Sequence, residues 1–419
     1  MPVHTIITDK MVFGGDCIAK IDGKTVFIPF ALPGETLEVE ITRQTRDYDC
    51  ARIVNIVKPS VHRVKPFCKY YGTCGGCSLQ HADSEYQKEL RVQMLESAFE
   101  REGLRVPPIE VVSDSPTSYR ARFQFTDGGL KMKLSDKVVA LDSCPCATEE
   151  INHFLSEVPF EKRPRGRVHV FGSSAISSIP EGYDRLVIAH EVAKEKLPVQ
   201  KKERRSLNGR PLPKQKQIKK QWTASSIDPR NACTVMLCGK PITFDVQGFF
   251  QSNLAVLQKA IPLVCQNLTG NHVLDMYAGC GTFSRFLGEH FTKVSLVEHN
   301  RDALIYAEQN LASLAHESYG VSGGLWVKNH AKSCVERNGA FDAVVIDPPR
   351  SGMEKEVRDW LSKQCIPQVR SVSCDAATHA RDIAALVKCG YKLEKLFLLD
   401  FYPQTAHIES LAYLSKDAE

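Results

Sequence analysis

No run of apolar residues in this 419-residue chain approaches the roughly 20 needed to cross a bilayer, so no membrane-spanning helix is predicted. The first residues, Met1-Pro2-Val3-His4-Thr5, carry neither a basic stretch nor an apolar one. Nothing there reads as a secretory leader, and a cytoplasmic location is the expectation. A strong charge of either sign is also missing. The net charge of +5 admits an anionic partner without demanding one.

Cysteine, by contrast, is plentiful, and its count of 15 is odd. Without a leader, reduced thiols, metal ligands or a catalytic thiol are expected rather than a disulfide framework. The length favours two or three domains, and the apolar fraction of 43% is enough for sizeable cores.

Residues 1–60 read as a small β domain. Short apolar runs are punctuated by Gly14-Gly15 and Pro33-Gly34, and Leu37, Val39 and Ile41 alternate onto one face. An OB-like barrel is predicted. Residues 61–243 form a central part: a Cys- and Gly-rich stretch, a polar helix over 84–102 stopped by Gly103, and strands over 118–133 and 138–141. Residues 194–220 are basic and poor in apolar side chains, which predicts an exposed insertion with cations for phosphates. From 244 to 419 helical and strand patterns alternate, so an α/β, mostly parallel, Rossmann-like sheet is predicted.

Inside that last part, Val273-Leu274-Asp275-Met276-Tyr277-Ala278-Gly279-Cys280-Gly281-Thr282-Phe283 reads strand, Gly loop, helix. The third Gly of a dinucleotide fingerprint is lacking, and so is any Lys or Arg to face a pyrophosphate. A nucleoside without phosphates, such as S-adenosylmethionine (SAM), suits so sparse a loop. Glu298, ending the next strand, can accept two ribose hydroxyls. Asp347-Pro348-Pro349-Arg350 follows a later apolar strand, where open α/β sheets hold ligands. Alone, that motif fits alkylation of an amine or of a base carbon.

Alkylation at carbon 5 of uracil needs a thiolate to add at carbon 6, and then a base to remove the carbon 5 proton. Cys374, at a predicted strand-to-helix junction, can supply the first, with the helix N-terminus stabilising its thiolate. Glu409, in His407-Ile408-Glu409, can supply the second. The structural alternatives are a small core residue for Cys374 and an ion-pair partner for Glu409. A separate cluster, Cys68-x5-Cys74-Gly75-Gly76-Cys77, suits a metal or an iron–sulfur centre. Cys144, followed by Pro145, is the natural fourth ligand, with Cys146 as its competitor and zinc as an alternative metal.

Together these motifs resemble the RNA uridine-C5 methyltransferase family, which carries Asp-Pro-x-Arg, Ser-Cys-Asn-Pro-x-Thr and a terminal His-x-Glu. Here they stand as Asp347 to Arg350, Ser373 to Thr378 and His407 to Glu409. The resemblance implies SAM contacts at Gln251, Tyr277, Thr282, Glu298, Asn329 and Asp347, with Cys374 and Glu409 catalytic. It also implies an RNA-binding TRAM barrel over 1–60, and a [4Fe–4S] cluster on Cys68, Cys74, Cys77 and Cys144, as in the family's ribosomal-RNA branch. The expected partner is therefore RNA, in particular 23S ribosomal RNA, and neither DNA nor a membrane; a monomer is expected. Asp375-Ala376 replaces the family's Asn-Pro, and a charge at Asp375 is expected to raise the thiol's pKa. The rivals are transfer-RNA uridine methylation, a DNA cytosine-C5 methyltransferase, and an RNA-binding iron–sulfur protein with an inactive methyltransferase domain.

Overall fold

The computed structural model describes residues 2–133, 135–178, 185–191 and 228–416. The basic segment 194–220 lies outside the described residues.

Alternating burial shapes the N-terminal part. Strands Val3–Ile7, Cys17–Ile21, Lys24–Ile28, Thr36–Gln44 and Tyr48–Lys58 make one five-stranded sheet, in which the first strand pairs the fourth and the second pairs the third. Leu37, Val39 and Ile41 do point inward together, as their spacing predicts. The barrel core is not closed off from the rest. Its Val26, Ile28 and Leu37 belong to one contiguous apolar cluster with Leu90, Leu95 and Phe99 of the helix Ser84–Arg101 and with Ala380 and Ile383 of the helix Ala376–Val387.

The C-terminal part is an eight-stranded sheet. Its order is His316–Tyr319, Phe291–Val297, Gly270–Met276, Ala343–Ile346, Gln368–Ser373, Glu409–Ser415, Lys392–Leu399 and Ile109–Val112. The first five run parallel, and Glu409–Ser415 is antiparallel to both of its neighbours. Ala343–Ile346 is buried along its whole length, as a parallel strand covered on both faces must be. The eighth strand is a departure from the sequence reading. Ile109–Val112 comes from the segment assigned to the central part, yet pairs parallel with Lys392–Leu399. The strand 118–133 is also shorter than expected: Arg122–Thr126 pairs with Arg167–Gly172, and Leu130–Lys131 with Val138–Val139. Asp127 at φ +48° and Gly128 at +84° turn the chain between them.

Candidate active site

The parallel strands end at one cavity of about 900 Å3. Cys374 is the first residue past Gln368–Ser373, and Glu409 opens the strand Glu409–Ser415. Ser373 pairs with Ser410, so one further step of the same antiparallel register puts Cys374 across from Glu409. Asp347 follows Ala343–Ile346, the strand on the other side of the cysteine strand. A thiol thus stands between two carboxyls, and all three line the cavity.

That neighbourhood sets the charges. Burial pushes the Cys374 thiol up to about 12, helped by the charges of Glu409 and Asp347 and opposed by Arg350. Glu409, only 2% exposed, is held well above the usual carboxylate range by burial and by Asp347. Asp347 is pushed up to about 7 by burial and by Glu298. The expected thiolate stabilisation by the helix N-terminus is outweighed here. Asp375 is the helix N-cap, its Oδ1 accepting from Thr378 N at 2.9 Å, and is not among the main causes of that shift.

Gln251, Tyr277, Thr282 and Glu298 also line the cavity. Tyr402 Oη donates to Gln251 Oε1 at 3.3 Å. Tyr277 sits at φ +67°, and its hydroxyl accepts from Glu354 N at 3.2 Å. Glu298 accepts from Gly279 N at 2.9 Å and Asn300 N at 2.6 Å, so its carboxylate is fixed while keeping lone pairs for a ligand. Asp275 stays beneath the loop, 1% exposed, accepting from Ser284 Oγ at 2.5 Å and pushed up to about 7 by burial. Asn329 requires correction. It is exposed, the last residue of the helix Gly323–Asn329, and is not part of the cavity wall. The chain meets the cavity earlier, at Val321, Ser322 and Gly323, because the strand His316–Tyr319 already ends at Tyr319.

Cys68, Cys74, Cys77, Cys144 and Cys146 line a second, small cavity of about 30 Å3. Cys77 Sγ lies 3.8 Å from Cys146 Sγ. Among the described residues, no three His, Cys, Asp or Glu side chains stand in the geometry of a single bound metal ion. The donor set fits a cluster, which spreads its thiolates wider than one ion does.

The family model described as tRNA (Uracil-5-)-methyltransferase matches residues 331–417, and the TRAM domain model matches residues 5–54. An RNA methyltransferase of Treponema denticola is 35% identical over the full length of both chains. The 23S rRNA (uracil(1939)-C(5))-methyltransferase RlmD of Shewanella sp. is 30% identical, the match covering 95% of this chain and 92% of that one. The chain belongs to the SAM-dependent RNA uracil-C5 methyltransferase family. The crystal structure of Pyrococcus abyssi tRNA (uracil-54, C5)-methyltransferase in complex with S-adenosyl-L-homocysteine shares the fold, with a TM-score of 0.68 at 21% identity over 98% of this chain and all of that one.

The methyltransferase has cavity residues that the motifs did not announce. Phe249 is 71% exposed at the cavity wall, a π-face open to a base. Arg120 lines both this cavity and the cysteine cavity. Gly75 and Gly76 of the cysteine loop reach the same wall as Cys374. Spacing gave no signal for these, since each is brought in by long-range packing. Phe249 alone had a cue, its place beside Gln251.

Proposed function

We propose that the methyltransferase modifies carbon 5 of a uridine in 23S ribosomal RNA through a covalent adduct on Cys374. The observation that carries this reading is that Cys374 and Glu409, one step beyond the Ser373–Ser410 pair, line one cavity together with Asp347. The Cys374 thiolate adds to carbon 6, and the electron pair moves to carbon 5, which becomes nucleophilic. SAM supplies an electrophilic methyl group on a cationic sulfur, and Gln251, Tyr277, Thr282, Glu298 and Asp347 would hold it. Glu409, as carboxylate, then takes the proton from carbon 5. The C5–H electrons restore the ring double bond, and the Cys374 sulfur leaves carbon 6 with its own pair. Burial that raises Glu409 makes it a stronger base than an exposed glutamate.

Ribosomal RNA is favoured over transfer RNA by the relatives at 27–30% identity that are named as 23S rRNA (uracil(1939)-C(5))-methyltransferases. Cys68, Cys74, Cys77 and Cys144 would hold a [4Fe–4S] cluster, because these thiols converge on one cavity. Nucleoside mass spectrometry of ribosomal and transfer RNA, with and without the gene, tests the substrate. Loss of 5-methyluridine from 23S RNA alone is expected. Loss from transfer RNA alone would overturn the assignment. Protein purified without oxygen should carry about four irons and four sulfides per chain. Stoichiometric zinc without sulfide would contradict the cluster.

A further inference from the structure

Arg120 is tied by its backbone to both cavities. Its N–H donates to Cys146 O at 2.7 Å, and its carbonyl accepts from Thr148 N at 3.2 Å. On the other side it forms an antiparallel bridge with Asn253, and Ala121 N donates to Ser252 O at 2.7 Å. The residue is therefore fixed between the Cys144–Cys146 turn and the segment that carries Phe249 and Gln251.

The side chain is held but not used up. It lies over the Phe123 ring, 4.9 Å from the centroid, and Nε donates to Arg122 O at 3.3 Å. Among the described residues, no hydrogen bond engages the two terminal nitrogens and no carboxylate forms an ion pair with the guanidinium. The residue is half-buried at the cavity wall, and its two-nitrogen edge is left free to meet a ligand. That edge matches two phosphate oxygens better than it matches any neutral group. The substrate is a polyanion. A uridine must leave its stack to bring carbon 6 to Cys374, so its flanking phosphates have to come to the wall of this cavity.

We propose that Arg120 is a substrate-positioning residue that binds a phosphate next to the target uridine, held in place by the cysteine turn on one side and the Phe249–Gln251 segment on the other. The proposal rests on the reading of the cavity as the uridine site.

The test compares full-length wild type, Arg120→Gln and Arg120→Lys on 23S RNA transcribed without modification. Binding is measured against salt, and methylation against RNA concentration. Arg120→Gln should lower the slope of log K against log salt by about 0.7–0.9, the value for one lost phosphate. Its KM for RNA should rise about tenfold with kcat within about twofold, the pattern of lost binding shared by ground and transition states. SAM affinity and the melting curve should not change. Arg120→Lys keeps the charge and should keep the wild-type slope. A wild-type slope and affinity in Arg120→Gln would overturn the proposal. So would weaker binding with an unchanged slope, which would make the contact one to a base rather than a phosphate. If wild type itself neither methylates nor traps RNA, the uridine reading fails first; if wild type methylates and Arg120→Gln matches it, only the role of Arg120 fails.

Discussion

Around Cys374 the charges are unbalanced. Glu409 and Asp347 both push its thiol up, and Arg350 is the cation that opposes them. With the thiol near 12, the thiolate fraction rises about tenfold per pH unit at every pH well below that value. Between pH 7.5 and 9, where Asp347 at about 7 is already ionised, Cys374 should react with a small neutral alkylating reagent at a rate that climbs with pH and shows no plateau. Removing the Asp347 charge should lower the thiol's pKa, so Asp347→Asn should be alkylated roughly 3- to 10-fold faster at pH 8.5, and Arg350→Gln slower by a similar factor. Mass mapping of the modified peptide follows this, and an unchanged rate in both variants would remove the electrostatic account. At this scale the sequence was informative about residue types and not about their charge state. Cys374, Glu409 and Asp347 were legible from their motifs, but Asp375 reads in sequence as a charge beside the thiol and stands in the structure as a helix cap. Which way a short carboxylate turns is decided by the nearest free N–H, here Thr378, and no spacing rule shows that.

Strands and loops place these residues, and their legibility followed their periodicity. The strand before Asp347 is an unbroken apolar run and the Gly loop is clear punctuation, whereas the strand before Cys374 sets Val369 and Val372 among Gln368, Arg370, Ser371 and Ser373 and is legible chiefly from its motif. Val3–Ile7 and Ile109–Val112 are short and half exposed, so neither shows a clean pattern; each is a strand because of the partner it meets. Asn329, which the family resemblance implied as a cofactor contact, is the last residue of the short helix Gly323–Asn329, exposed and away from the cavity wall. In the Gly loop, Gly279 and Gly281 both have positive φ, +57° and +76°, but different surroundings. A Cβ on Gly279 meets nothing within 4 Å, whereas one on Gly281 would lie 3.0 Å from Ala307 Cβ and Leu311 Cδ1. Gly281→Ala should therefore cost more than the roughly 1–2 kcal/mol of left-handed strain that Gly279→Ala bears. Denaturant melts should rank Gly281→Ala below Gly279→Ala in stability. The reverse ranking would mean that the helix Arg301–Asn310 does not press on this loop.

The whole molecule is less modular than its sequence reads. The barrel's core runs on into the helix Ser84–Arg101 and the methyltransferase sheet. That helix also joins the loop before Glu409: Gln87 Nε2 donates to Gln404 Oε1, and Gln404 N to Gln87 Oε1, both at 2.9 Å. Just past Cys77, Ser78 N and Leu79 N both donate to Gln404 O at 2.9 Å. Barrel, cysteine loop and catalytic strand thus share one scaffold, which composition shifts along the chain could not reveal. Removing residues 1–60 should therefore aggregate or unfold the remainder rather than merely weaken RNA binding. A truncated chain that stays monomeric and keeps full SAM affinity would show instead that the barrel is a separable module. The central claim is that Cys374 forms the bond to carbon 6, and RNA carrying 5-fluorouridine tests it, since fluorine cannot leave as a cation and the adduct stalls. Wild type should give a protein–RNA species that survives denaturing electrophoresis, with the methylated nucleotide on the Cys374 peptide. Cys374→Ala should give none, and Glu409→Gln should accumulate the same species even on ordinary uridine RNA. An adduct that persists in Cys374→Ala, on Cys280 for example, or methylation without any adduct, would contradict the account.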